Sequence, residues 1–270
     1  MDGVRVTGVR GREVGGATVT EEARIVVGAD GLRSTVARAV QAPAYHTKPT
    51  LTCAYYAYWS GVALDGLHIC PREGWMTIAF PTNDNLACVY VAWPKQEFRA
   101  FRSDVEGNYL KTVELVPELA ELVRAGEREE RFAGTAALPN FFCKPYGPGW
   151  ALVGDAGYHK DPVTAQGITD AFRDAELLAE AIDAGFSVQR PLEEALDEYE
   201  RQRNEAAMPM FDNTCRRATL APPTSEMWKL LAALRGNQKE TDNFLGTIQG
   251  TVSIREFFAP ENVQRIISAA

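Results

Sequence analysis

At 270 residues and 46% hydrophobic side chains, the chain is long enough to bury a substantial core, and its composition excludes disordered, collagen-like and low-complexity classes. With 36 acidic residues against 28 basic ones its formal net charge is -8, so no basic surplus exists to neutralise phosphates and nucleic acid is not expected as a partner. No apolar run approaches the ~20 residues of a membrane-spanning helix, and the first residues lack the charged-then-apolar profile of a secretory signal. The expected address is cytoplasmic, with no membrane partner.

In chain order, residues 1 to about 30 alternate apolar and polar around Val4, Val6 and Val9, turn through "GREVGG", and end in the apolar strand "ARIVVGADG". Three strand-like runs follow between Leu51 and Trp93: "LTCAYYAYWSGV", "GWMTIAFP" and "NLACVYVAW". The turn signals "PREG" and "PTNDN" separate the later ones, a pattern that predicts an antiparallel meander. A mostly polar helical region runs from about Glu97 to Ala125. Trp150 to Val153 then read as a short buried strand. From Ile168 a helical period places Ile168, Ala171, Phe172, Ala175, Leu178, Ala179 and Ile182 on one face, ending at Gly185. "PLEEALDEYERQRNEAAM", "SEMWKLLAALRG" and the segment after Pro260 predict a helical tail.

Between the Trp150 strand and the Ile168 helix lies a turn carrying Gly154, Asp155, Gly157, Pro162 and Gly167. Glycines let a backbone approach a ligand, and a helix start offers free N–H groups and about half a positive charge. An acid directly after the strand repels phosphate, so Asp155 suits sugar-like hydroxyls instead. The bland alternative is that Asp155 only caps a turn. A second strand-and-turn of the same kind, "VVGADGLRSTVAR", brings Gly28, Asp30, Gly31, Ser34 and Arg38 and favours the ligand reading.

Together these two stretches resemble the flavoprotein monooxygenases of the p-hydroxybenzoate hydroxylase type. Asp30, Gly31, Ser34 and Arg38 match that family's D-G-x-x-S-x-x-x-R motif, and Gly154, Asp155, Pro162 and Gly167 match its G-D-x-x-x-x-x-x-P-x-x-x-x-G motif. The resemblance implies a mixed α/β fold: a Rossmann-like FAD-binding domain with an inserted antiparallel sheet for the substrate, followed by C-terminal helices. It divides the chain into FAD-binding parts at 1–45 and 136–186, a substrate domain at 46–135 and a helical segment at 187–270. FAD is the implied cofactor and NAD(P)H the co-substrate. Asp30, Gly31 and Arg38 inherit roles near the pyrophosphate, ribose and nicotinamide. Asp155 with Gly154 inherits the ribityl chain, Pro162 the passage beside the flavin ring, and Gly167 with Ile168 the helix start at the pyrimidine edge. The implied activity is hydroxylation of a small organic substrate, aromatic or polyketide-like. A flavin-dependent reductase, a halogenase of the same fold and a non-enzymatic fragment are the alternatives, and the halogenase lacks its W-x-W-x-x-P here.

One departure bears on the whole reading. The family opens with a strand, G-x-G-x-x-G and a helix, whereas "GVRGREVGG" reads as a hairpin turn, so the resemblance implies an N-terminally truncated form. Other residues carry weaker expectations. The aromatic residues of the meander, Tyr55 to Trp93, are expected as sheet core first and pocket lining second. His159 is expected in a solvated loop, Lys160 and Asp161 as a surface pair, and Arg173, Asp174, Glu176 and "EYERQR" as solvated helix faces. Five scattered cysteines without C-x-x-C, and three histidines without metal-ligand spacing, predict reduced thiols and no metal site.

Overall fold

The computed structural model describes residues 5–269, so Val4 of the expected hairpin lies outside them. In chain order the elements are β1 (Gly8–Arg12), β2 (Thr18–Glu22), β3 (Val26–Gly28), α1 (Thr35–Ala39), β4 (Ala44–Lys48), β5 (Thr52–Ser60), β6 (His68–Arg72), β7 (Trp75–Pro81) and β8 (Ala87–Pro94). They continue with α2 (Phe98–Arg102), α3 (Val105–Val113), α4 (Pro117–Ala125), β9 (Glu127–Arg128), β10 (Ala133–Thr135), β11 (Asn140–Cys143), β12 (Tyr146–Gly147), β13 (Trp150–Leu152) and β14 (Tyr158–His159). The rest is α5 (Gly167–Phe186), α6 (Leu192–Arg217), α7 (Ser225–Leu234), α8 (Gln238–Gln249), α9 (Ile254–Phe257) and α10 (Pro260–Ser268). No helix among the described residues is long and apolar enough to cross a membrane.

Two units result, dividing after Thr50, Leu138 and Met208. The first joins the chain up to Thr50 with Pro139–Met208. It holds the β1–β2 hairpin and two three-stranded sheets, ordered β14-β11-β4 and β12-β13-β3. In the latter, β3 and β13 run parallel, with Val26 opposite Trp150 and Gly28 opposite Leu152. Both are short apolar runs, and β13 is fully buried, as expected of a strand covered on both faces. Its core joins Ala151 and Val153 to Leu178 and Ala181 of α5 and to Leu196 and Tyr199 of α6.

The second unit comprises Leu51–Leu138 and Pro209 onward. Its sheet runs β10-β5-β8-β7-β6, with β9 pairing on β5. The expected three-run meander therefore has a further strand, β6, and β5 pairs with β8 instead of its sequence neighbour. The turn signal "PREG" sits at the β6–β7 tip, where Gly74 takes φ 77°. Strand β6 escaped notice because His68, Pro71 and Arg72 break any apolar alternation.

Tyr55, Ala57, Trp59, Val89 and Val91 share one sheet face and pack on Phe101, Tyr109, Val113 and Leu119 of α2–α4. Trp59 Nε1 donates to Tyr109 Oη (3.1 Å), which donates to the Val89 carbonyl (2.9 Å), so both aromatic polar tips are satisfied inside the core. The alternate face carries Tyr56 and Tyr58, whose rings meet edge to face at 5.9 Å, beside Cys88. Burial pushes the Cys88 thiol up to about 11.

Close packing of α1 on the parallel strands depends on Gly28. A Cβ there would stand 2.7 Å from Leu152 Cδ2 and 2.9 Å from Val36 Cβ. Gly28→Ala is expected to cost about 1–3 kcal/mol in denaturant unfolding through overpacking, whereas Gly31→Ala, with open space at its Cβ, should show only the smaller penalty of its positive φ.

Candidate functional site

The parallel register brings the two motif turns out of the sheet side by side. Leu152 pairs with Gly28, and the Val153 N–H extends the ladder by donating to the Gly28 carbonyl (3.0 Å). Ala29-Asp30-Gly31 and Gly154-Asp155 thus leave the carboxyl ends of neighbouring strands, where open α/β sheets receive ligands.

In the first turn Asp30 is already engaged. Its Oδ2 accepts from the N–H groups of Thr35 (2.6 Å) and Val36 (3.4 Å), while Ser34 Oγ accepts from Ala37 N–H (2.9 Å). The pair divides the free amides of α1 between them. Slight burial alone would raise the Asp30 carboxyl, but hydrogen bonds from Ser34 and the Thr35 and Val36 amides outweigh it and lower it. Gly31 takes φ 75° to turn the chain into the helix. Arg38 lies exposed in the last turn of α1, its guanidinium 3.4 Å from Thr35 Oγ1.

The second turn is built differently. Gly154 takes φ 55° and closes one 3₁₀ turn through the Gly157 N–H (2.8 Å). A Cβ on Gly154 would lie 3.0 Å from that of Ala171, so the glycine admits α5 against the turn. Asp155 is half-buried, and its carboxylate makes no hydrogen bond or ion pair with any described residue. It points toward the start of α5: a Cβ on Gly167 would stand 4.0 Å from Asp155 Oδ1. Pro162–Thr164 form another 3₁₀ turn, capped by Asp161 Oδ1 accepting from Val163 N–H (3.2 Å), and Ala165 reaches α5 in the left-handed region at φ 53°. Gln166, ahead of Gly167, makes no side-chain cap on α5. Gly154, Asp155 and Gly167 are therefore brought together, the Pro162 turn leads directly into them, and Asp30 sits on the neighbouring strand end.

Several expectations fail at the next layer. His159, Lys160 and Asp161 are buried, not solvated. His159 Nδ1–H donates to the Pro139 carbonyl, and the Asp161 N–H donates to Asn140 Oδ1 (2.8 Å). Lys160 pairs with Asp170 of α5, in the interior and not on the surface. The apolar stripe expected on α5 holds in its second half, where Leu178 is buried and Ile182 packs on the core, and fails in its first turns: Ile168 and Phe172 are 77% and 74% exposed while Asp170 and Asp174 are buried. Arg173 Nη1 meets Asp170 (3.0 Å), while Nη2 meets Asp174 (3.1 Å) and the Tyr158 hydroxyl (2.6 Å). "EYERQR" exposes Arg201 but buries Tyr199 and Arg203. Tyr199 donates to the Leu152 carbonyl (2.7 Å). Arg203 donates to the carbonyls of Cys143 (3.2 Å) and Gly157 (3.5 Å) and to Tyr45 (2.8 Å), with Phe142 and Tyr158 beside its guanidinium. The signal for this layer was the i, i+4 acid pair Asp170 and Asp174 in line with Leu178.

A family model described as an FAD binding domain matches residues 1–214. The chain belongs to that family. Its likeness to the p-hydroxybenzoate hydroxylase-type flavoproteins is upheld by relatives among the curated proteins. It is 28% identical over 217 residues to a kynurenine 3-monooxygenase of Cytophaga hutchinsonii, covering 73% of this chain and 46% of the relative. To a kynurenine 3-monooxygenase of Drosophila willistoni it is 30% identical over 150 residues, covering 54% of this chain and 32% of that one. The chain thus spans less than half the length of these relatives. Among solved structures, the myxobacterial chondrochloren halogenase CndH superposes with a TM-score of 0.72 at 19% identity, over 100% of this chain and 66% of the other. PqsL of Pseudomonas aeruginosa, a probable FAD-dependent monooxygenase, does so with a TM-score of 0.63 at 23% identity, over 78% and 62%. These likenesses establish the mixed α/β flavoprotein fold.

Burial raises the Asp174 carboxyl even though Arg173, Arg203 and the Gly154 amide each pull it down. A folded-state value above the unfolded one means the folded chain holds the proton to higher pH, so this group adds stability as pH falls from neutrality toward the ordinary carboxylate range. Asp174→Asn is expected to flatten that part of the stability profile, measured by urea unfolding at stepped pH. Profiles of equal slope would place the proton elsewhere.

Proposed function

We propose that this chain binds FAD at the paired turns and serves an FAD-dependent monooxygenase that uses NAD(P)H and O2 to hydroxylate a small organic substrate, aromatic or polyketide-like. The observation that carries the reading is the Asp155 carboxylate. It stands half-buried beside Gly167, unpartnered among the described residues, where α5 begins without a side-chain cap, at the carboxyl end of a parallel strand. A lone acid there suits hydroxyl donors, and uncapped amides suit carbonyl and anionic acceptors, a pairing that a polyol joined to a pyrimidine ring satisfies at once.

In this reading Asp155 accepts from the hydroxyls of the ribityl chain, and Gly154 keeps the backbone close enough to allow it. The first-turn amides of α5 face the pyrimidine edge, and the 20-residue helix behind them favours negative charge there. Bound FAD supplies the two-electron reduction by NAD(P)H and the activation of O2. Asp30 acts through α1: by holding the amides of Thr35 and Val36 it keeps Gly31 and the exposed Arg38 at the adjoining strand end. The aromatic face with Tyr56 and Tyr58 is the candidate surface for an apolar substrate, because the opposite face is consumed as core. The kynurenine 3-monooxygenases above support the hydroxylase reading. A cytoplasmic address agrees with five free cysteines.

Titration of the purified chain with FAD, followed by visible absorbance, tests the proposal. Saturable binding is expected, and Asp155→Ala should weaken it by about 1–3 kcal/mol while leaving thermal unfolding unchanged. Wild-type protein that leaves the FAD spectrum unaltered would refute the assignment, and an unaltered affinity in the variant would reduce Asp155 to a turn former.

A further inference from the structure

The first two turns of α5 are held by charge instead of apolar burial. Ile168 and Phe172 face outward at 77% and 74% exposure, and Gln166 supplies no cap, whereas Asp170 and Asp174 point inward. Lys160, itself only 7% exposed, reaches Asp170 from the loop between β14 and the Pro162 turn. From Asp170 the contacts continue through Arg173 to the Tyr158 hydroxyl on β14 (2.6 Å) and to Asp174 (3.1 Å), which lies against the Gly154 amide. The start of α5 is thereby tied to β14, to the loop ahead of Pro162 and to the turn that carries Asp155.

A buried lysine–carboxylate pair is seldom a source of net stability, because desolvation cancels most of the attraction and apolar residues of like volume do as well or better. In some proteins such a pair supplies direction instead. An ammonium on a carboxylate fixes one loop against one helix at one register, and a misplacement leaves a charge buried alone. In the same network, Arg173 Nε and Asp174 Oδ2 are buried and have no hydrogen-bond partner among the described residues.

We propose that Lys160 is a positioning residue for the ligand of the Asp155 turn: through Asp170 it sets where the first-turn amides of α5 lie relative to the Asp155 carboxylate. This rests on the reading of that turn as the FAD site. Both side chains are buried and paired with each other, so in this proposal their effect reaches the ligand through the helix start.

The experiment compares wild-type chain, Lys160→Arg, Lys160→Met and the double variant Lys160→Met/Asp170→Asn. The double variant removes one positive and one negative charge together, leaves Arg173 with Asp174, and buries no lone charge. It therefore remains informative should Lys160→Met fail to fold. Three quantities are read on folded protein: amide hydrogen exchange across residues 168–172 without ligand, FAD affinity, and the visible circular dichroism of bound FAD. The double variant is expected to exchange those amides faster and to bind FAD more weakly, each on the order of tenfold, with an altered flavin dichroism. Lys160→Arg should recover most of both. A double variant indistinguishable from wild type in exchange, affinity and dichroism overturns the inference, because the pair would then only neutralise itself. Wild-type chain that takes up no FAD overturns the reading of the turn and this inference with it. Wild-type uptake with unaffected variants overturns this inference alone.

Discussion

Everything proposed for this chain depends on the parallel pairing of β3 with β13. Two strands distant in sequence are brought into register so that Gly28 ends opposite Leu152, and each then turns at a glycine-and-aspartate pair. A parallel pair presents both carboxyl ends on one edge, which an antiparallel hairpin cannot do, and it has no local turn to stabilise it. Its stability comes from burial: β13 is closed off by α5 and α6, and Gly28 lets α1 approach β3 to contact distance. The two turns are neighbours only because those helices hold the strands.

The two aspartates then diverge in role by environment. Asp30 spends its carboxylate on the amides of a short helix that would otherwise fray, so its work is to shape a backbone. Asp155 faces the start of a helix of 20 residues and makes no hydrogen bond or ion pair with any described residue. Behind Asp155 the structure spends charge freely. Lys160, Asp170, Arg173, Asp174 and Arg203 are all wholly or partly buried around one turn, each tied to a neighbour or to a backbone carbonyl. Such a layer is costly to build, and its ion pairs hold the start of α5 against the neighbouring loop. Rigid polar groups fixed before a ligand arrives are what recognition of a polar cofactor requires.

Strand β3, strand β13, helix α5 and the two motif turns were legible because short apolar runs, a helical period and glycine-aspartate pairs are local signals. The phase of the first turns of α5 was not. Counting apolar residues selected a stripe running from Ile168 to Ile182, yet burial in its first turns followed Asp170 and Asp174, whose partners Lys160 and Arg203 lie outside the helix. Periodicity weighs hydrophobicity and cannot weigh an ion pair that closes only on folding. His159 and Lys160 looked solvated for the same reason. Helix α8 was overlooked although its ends carry clear signals: Asn237 accepts from the Glu240 amide, and Gly250 closes the helix at φ 78°. Its polar interior hid it. In the second unit, the alternation of Tyr55, Ala57 and Trp59 correctly indicated sheet, and the choice of which face is core required the helices α2–α4 to be in place.

The central claim is that Asp155 and the start of α5 bind one ligand, FAD, at the end of the parallel strands. A crystal structure of the chain grown with FAD tests it most directly. The account expects density for the ribityl chain within hydrogen-bonding distance of the Asp155 carboxylate and for the pyrimidine edge at the amides of Gly167 and Ile168. FAD seated away from these groups, with Asp155 bonded only to its own chain, would contradict it.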